Sequence, residues 1–162
     1  ALAHSGVALL AVSMAAAGEF IKPAAIVSLA VPFAFAGSLA TALGDTLSSE
    51  IGCLYDRPRL ITTFERVEPG TDGAVTWQGE LAGLVGIGLI SALATATLPL
   101  GPGGSTTSLA AAIVAAGGFA GITTDSILGA TIEGDRLGNQ LVNLCATLTG
   151  GGVSVAFAVV ML

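Results

Sequence analysis

Charge is scarce in this chain: 10% of its 162 residues are Asp, Glu, Lys or Arg, against 53% hydrophobic residues. Mean hydropathy is +0.88. A soluble domain carries about a quarter charged residues, so that class is excluded. Basic residues are scarcer still, with five Lys and Arg against eleven Asp and Glu for a net charge of −6. That balance argues against nucleic acid as a partner. There are two cysteines, Cys53 and Cys145, with no CxxC spacing. They read as small buried residues of apolar helices with no metal or redox role. The chain also lacks the charged region and cleavage signature of a signal peptide. It starts at Ala1 almost inside an apolar run, and an N-terminal segment is expected to be missing.

What the chain does have is long uncharged runs over residues 1–18, 23–44, 81–124 and 137–162, the third broken by Pro99-Leu100-Gly101-Pro102-Gly103-Gly104. A transmembrane helix needs about 20 mostly apolar residues to cross roughly 30 Å of hydrocarbon. The pattern predicts an all-α polytopic membrane protein with five helices, over residues 2–18, 23–54, 77–98, 106–131 and 137–162. One membrane domain over 1–162 then carries one substantial loop, 55–76. Arg57, Arg59 and Arg66 lie in that loop and Arg136 follows the fourth helix, so both connections are expected on the cytoplasmic side. Small residues four apart, at Gly37 and Thr41, Gly79 and Gly83, and Gly117 and Gly121, predict close helix packing in lipid.

The polar residues gather in clusters. Asp45 lies in Gly44-Asp45-Thr46-Leu47-Ser48-Ser49-Glu50-Ile51-Gly52, and a helix starting at Pro23 would carry it about 33 Å, to the inner edge of the bilayer. Thr41, Asp45, Ser48 and Ser49 share a helical face. Glu50 points away from that face unless Gly44 or Gly52 marks a break. A second cluster, Gly121-Ile122-Thr123-Thr124-Asp125-Ser126-Ile127-Leu128-Gly129, is followed by Glu133, Asp135 and Arg136. Asp45-Thr46-Leu47 aligns with Asp125-Ser126-Ile127 at an offset of 80 residues, which suggests a weak internal duplication. Asn139, Asn143 and Thr147 form a polar stripe on the last helix. In the loop, alternation of Leu60, Thr62, Phe64 and Arg66 predicts a short strand. Pro69-Gly70-Thr71-Asp72-Gly73 is a turn whose amides can hold an anion, while Arg59 and Arg66 can take phosphate oxygens.

Carboxylates repel phosphates unless a hard cation sits between them, and Mg²⁺ bound by one or two carboxylates plus substrate phosphates is the usual solution. The pattern therefore points to phosphoryl transfer at the membrane face, on a substrate with a greasy tail and a charged head. The alternative is a secondary transporter of a small anionic or lipid-phosphate solute, whose site would lie near mid-membrane. A purely structural role is the third reading, if the clusters only satisfy one another.

Three segments occur in order: the Gly44 to Gly52 cluster; Arg59-Leu60-Ile61-Thr62 with Val67-Glu68-Pro69-Gly70-Thr71-Asp72-Gly73-Ala74-Val75-Thr76; and Asp125-Ser126-Ile127-Leu128-Gly129-Ala130. Together they resemble the integral-membrane family that includes plant phytyl-phosphate kinase and its archaeal and bacterial relatives. The resemblance covers about residues 2–143. It implies a kinase that transfers phosphate from a nucleoside triphosphate, CTP in the plant enzyme, to an isoprenyl monophosphate such as phytyl or geranylgeranyl phosphate. By motif position it implies Mg²⁺ on Asp45 and Asp125, with Glu50 and Ser49 in support. It further implies triphosphate held by Arg59, Arg66 and the turn of Gly70, Thr71, Asp72 and Gly73, with Asn139 and Asn143 lining the pocket.

Overall fold

The computed structural model describes residues 25–100, 105–132 and 138–162. The helix expected over 2–18 lies outside the described residues, as do Glu133, Asp135 and Arg136. Four helices make the described fold: α1 (Ala25–Gly52), α2 (Trp77–Thr97), α3 (Ser105–Ile132) and α4 (Asn139–Met161). Each is long and apolar enough to cross a membrane. Their ends fall within two residues of those expected for the last four helices. Helices are what such apolar runs must form, because no water is present in hydrocarbon to satisfy a bare amide or carbonyl.

The helices bury small residues and expose large ones. α2 turns Gly79, Gly83, Gly86, Ser91 and Ala94 inward with Ile87, and leaves Leu81, Leu84, Val85, Leu89 and Leu93 exposed. Lipid offers these leucines as apolar a home as the interior does, so helices associate by close van der Waals packing instead. The tightest packing surrounds α4. A methyl group on Gly37 of α1 or on Gly117 of α3 would meet the same two groups of α4, 2.5 Å from the Gly150 carbonyl oxygen and hard against Ser154. One turn further along, the Thr41 side chain fills the space beside Gly121 and Gly150. Phe33, Ala40, Ile87, Val114 and Ile122 complete the apolar core.

Hydroxyls within the bundle bond mostly to their own helix. Thr41 Oγ1 donates to the Gly37 carbonyl at 3.0 Å, Ser91 Oγ to Ile87 at 2.8 Å and Thr124 Oγ1 to Ala120 at 2.8 Å. Ser38 Oγ instead crosses from α1 to the Thr147 carbonyl of α4 at 3.1 Å.

The 80-residue offset between Asp45 and Asp125 recurs in the packing. Gly37 and Gly117 are equivalent at that offset and touch the same atoms of α4. The connection after α1 covers residues 53–76 and that after α3 covers 133–138, so α4 begins 62 residues after α2 begins.

The loop between α1 and α2 corrects one expectation. Alternation through Leu60, Thr62, Phe64 and Arg66 does not build one strand. β1 (Arg59–Leu60) and β2 (Ala74–Val75) pair antiparallel, Arg59 opposite Val75 and Leu60 opposite Ala74. The chain reverses after β1 because Phe64 takes a left-handed φ of 58° and its amide returns to the Leu60 carbonyl at 2.8 Å. Arg66 then bridges back to Arg59.

Gly117→Val should lower the thermal unfolding midpoint of the detergent-solubilised protein, since overpacking of this kind costs about 1–3 kcal/mol or more. Ser154→Ala at the same contact should leave the midpoint unchanged or raise it, because the buried Ser154 Oγ has no hydrogen-bond partner among the described residues. Equal effects of the two substitutions would count against glycine packing as the organising contact.

Candidate functional site

α1 and α3 end, and α2 and α4 begin, at one end of the bundle. A cavity of about 370 Å³ opens there. From α1 it takes Asp45, Ser48, Ser49 and Glu50; from α3, Ile122, Asp125 and Ser126; and from α4, Asn139. The loop closes it with Pro69, Gly70, Thr71, Asp72, Gly73 and the residues of β2. The matching register of α1 and α3 explains why both aspartates line one cavity. Asp45 lies eight residues beyond Gly37 and Asp125 eight beyond Gly117, and eight residues of helix rise about 12 Å from the shared contact with α4.

Asp45 is half-buried, and Asp125 keeps Oδ1 out of contact with solvent. Glu50 lines the cavity although helical spacing points it away from Asp45. No break in α1 is needed, since the helix runs unbroken to Gly52. Gly44 serves packing instead: a methyl group there would stand 2.8 Å from Ile87.

Two left-handed glycines shape the turn that closes the cavity, Gly70 at φ 87° and Gly73 at φ 70°. Thr71 Oγ1 donates to the Glu68 carbonyl at 2.7 Å, and the Ala74 amide to the Thr71 carbonyl at 3.0 Å. The Ile61 amide donates to the Gly73 carbonyl at 3.1 Å and ties the turn to the rest of the loop. Where the loop enters α2, Thr76 caps the helix, its Oγ1 accepting from the Gly79 amide at 3.1 Å. Trp77 follows, 72% exposed, where an amphipathic ring suits the membrane boundary.

The arginines go elsewhere. Arg59 Nη1 donates to the Phe64 carbonyl at 2.6 Å and binds the loop to itself. Arg66 is exposed, and neither arginine lines the cavity. Asn143 also stands behind the cavity wall: its Nδ2 donates to Asn139 Oδ1 at 3.2 Å and so orients the asparagine that does line it. Thr147 Oγ1 continues the stripe, donating to the Asn143 carbonyl at 2.9 Å.

Cys53 departs from expectation, since it is exposed and belongs to the cavity wall. α1 ends one residue before it, at Gly52; the polar run Ser48-Ser49-Glu50 just upstream was the available signal that the apolar span had ended. Ser48 and Ser126 also line the cavity. Their position beside the aspartates in the two repeats was the available signal.

The charged residues lining the cavity are all acidic: Asp45, Glu50, Asp72 and Asp125. An anion entering alone would be repelled by all four. Among the described residues no group of three or more His, Cys, Asp or Glu is gathered to cage a metal. Two carboxylates with neighbouring hydroxyls do suit a hard cation that keeps waters and takes its remaining ligands from phosphates, as Mg²⁺ does.

Thr76→Ala should lower stability by about 0.5–2 kcal/mol through loss of the α2 cap, read as a lower unfolding midpoint. No change in midpoint would mean that the Thr76 cap adds nothing to holding the loop at α2.

The chain matches the family model described as integral membrane protein DUF92 over residues 1–151. It is 44% identical over 126 residues to an uncharacterized membrane protein of Methanocaldococcus jannaschii, covering 75% of this chain and 49% of that one. With Protein PGR of Arabidopsis thaliana it shares 43% identity over 108 residues, 60% of this chain and 36% of the relative. Protein VTE6, chloroplastic, of the same plant is 34% identical over 126 residues, again 75% of this chain and 36% of the relative. The chain thus spans about half the length of the archaeal relative and about a third of each plant relative. No solved structure matches it. The chain belongs to the DUF92 family of integral membrane proteins, the family of phytyl-phosphate kinase relatives that its aspartate and loop motifs resemble.

Proposed function

We propose that this chain carries the phosphotransfer site of a membrane-embedded isoprenyl-phosphate kinase, acting on the cytoplasmic side with Mg²⁺ and a nucleoside triphosphate such as CTP. The observation that carries the reading is the pairing of Asp45 and Asp125, from equivalent places in two repeats, on one cavity whose charged lining is entirely acidic. The family's plant member VTE6 adds support for an isoprenoid substrate such as phytyl or geranylgeranyl phosphate.

In the reaction a terminal oxygen of the isoprenyl monophosphate attacks the γ-phosphorus of the nucleotide. The new oxygen–phosphorus bond forms as the bond from the γ-phosphorus to the β–γ bridging oxygen breaks, and the nucleoside diphosphate leaves with that electron pair. A phosphate monoester is already largely dianionic near neutral pH, its second pKa being about 6, so the nucleophile needs no strong base. Work for the protein is then positioning and charge neutralisation. Asp45 and Asp125 would hold Mg²⁺, which supplies the positive charge that lets phosphates enter among carboxylates. On the last turns of α1, Ser49 would donate to a phosphate oxygen and Glu50 would accept from a water beside the cation. In the turn of Gly70, Thr71, Asp72 and Gly73, the Thr71 amide is taken by the Glu68 carbonyl, and the amides of the other three would face the triphosphate. Asn139, oriented by Asn143, would donate to the acceptor phosphate. The reading gives no substrate contact to Arg59, whose guanidinium is engaged by the loop, or to Arg66.

A cavity of about 370 Å³ is small for a ligand pocket, where about 300–1,000 Å³ is usual. It suits the phosphate groups, with the isoprenyl tail left in the bilayer. Depth favours an enzyme over a transporter. Transporter sites lie near mid-membrane, whereas this cavity opens where α1 and α3 end and is closed by the loop.

Detergent-purified full-length protein incubated with Mg²⁺, labelled CTP and geranylgeranyl or phytyl monophosphate should form labelled diphosphate. Asp45→Asn and Asp125→Asn should each lower kcat/KM by about 100-fold or more, and removal of divalent cations should abolish the product. Folded wild-type protein that yields no diphosphate with any common nucleotide would rule the kinase reading out.

A further inference from the structure

The turn that closes the cavity belongs to the first repeat, yet it is seated on the second. Gly73 lies against the last turns of α3: a methyl group on it would run into the Ala130 amide nitrogen and stand 2.5 Å from both the Ser126 carbonyl oxygen and Ala130 Cβ. β2, which follows at once, packs on the same helix. Gly73 therefore answers two separate demands, a left-handed φ of 70° and a neighbour too close for any side chain. Gly70, at φ 87°, answers only the first, since nothing lies within 4 Å of a methyl group placed there. Ala130 is the other half of the contact. Ser126 and Gly73 both line the cavity while Ala130 does not, so it touches the turn from behind.

We infer that Ala130 is a positioning residue for the triphosphate-binding turn: its small side chain lets Gly73 seat on α3, which holds the turn of one repeat over Asp125 of the other. This rests on the kinase reading for the word triphosphate, but the seating itself does not. A larger side chain at Ala130 lifts the turn without touching ligand, metal or either aspartate. The last turns of α3, from Asp125 to Ala130, then serve both sides of the site, with Asp125 facing the cavity and Ala130 carrying its roof.

The test compares Ala130→Val with the conservative Ala130→Gly in the full-length protein, using two readouts. The first is amide hydrogen exchange over residues 59–75, where Ile61 and Ala74 report the turn through their bonds to Gly73 and Thr71. Ala130→Val should speed exchange there and leave α1 and α4 unchanged, while Ala130→Gly should match the parent. The second is steady-state kinetics: Ala130→Val should raise KM for the nucleotide about 10-fold or more with KM for the isoprenyl phosphate nearly constant. A general packing defect would move both constants and the exchange of every helix together. Within the turn, Gly73→Ala should speed exchange over 59–75 more than Gly70→Ala, because only Gly73 meets α3. Unchanged exchange in Ala130→Val, or equal effects of the two glycine substitutions, overturns the seating. Faster exchange with an unshifted nucleotide KM overturns the positioning role. A parent that makes no product sinks the kinase reading, and exchange alone still decides the seating.

Discussion

The close approach of α1 and α3 to α4, made at Gly37 and Gly117, is the contact on which the remaining structure depends. In lipid the hydrophobic effect does not distinguish inside from outside, so backbones gain by approaching where no side chain intervenes. Because both glycines meet Gly150 and Ser154, α1 and α3 are held at the same height against one helix. Every residue an equal number of steps beyond them then arrives at the same level. Asp45 and Asp125 are such a pair, and their shared cavity follows from packing some 12 Å away.

The two repeats are alike in their helices and unlike in their connections. Thr41 occupies in α1 the place that Gly121 occupies in α3, so the hydroxyl side chain of one repeat fills the space left by the glycine of the other. The connection over 53–76 is long enough to fold back across the bundle end, while that over 133–138 is a short link. Among the described residues, the cover over the two aspartates comes from the first of these connections.

Much of the fold was legible because a hydrocarbon environment leaves few choices. Uncharged runs of 20 or more residues must be helices, and their ends followed from the Pro99 to Gly104 break and from the charged residues of the loop. The glycine and threonine spacings named the packing faces, and the offset between Asp45 and Asp125 named the repeat. Parts of the site were less legible. Arg59 and Arg66 looked suited to phosphate, but a left-handed Phe64 presents its carbonyl to Arg59, and the loop takes that guanidinium for itself. Glu50 looked misplaced on a helical wheel, yet a cavity at a helix end is open to more of the helix circumference than one face between helices. Cys53 was read as part of an apolar helix, and it is exposed because α1 stops just before it.

Composition and periodicity alone determined that this is a polytopic helical membrane protein with its polar clusters near helix ends, since charge placement and run length are local properties of the chain. Only the tertiary structure decided which clusters share a cavity, that the arginines stand apart from it, and that the loop of one repeat rests on the helix of the other. Those outcomes depend on glycine contacts between residues more than 50 positions apart, Gly73 with Ala130 and Gly37 with Gly150, and no spacing along the chain encodes the distance at which two backbones meet.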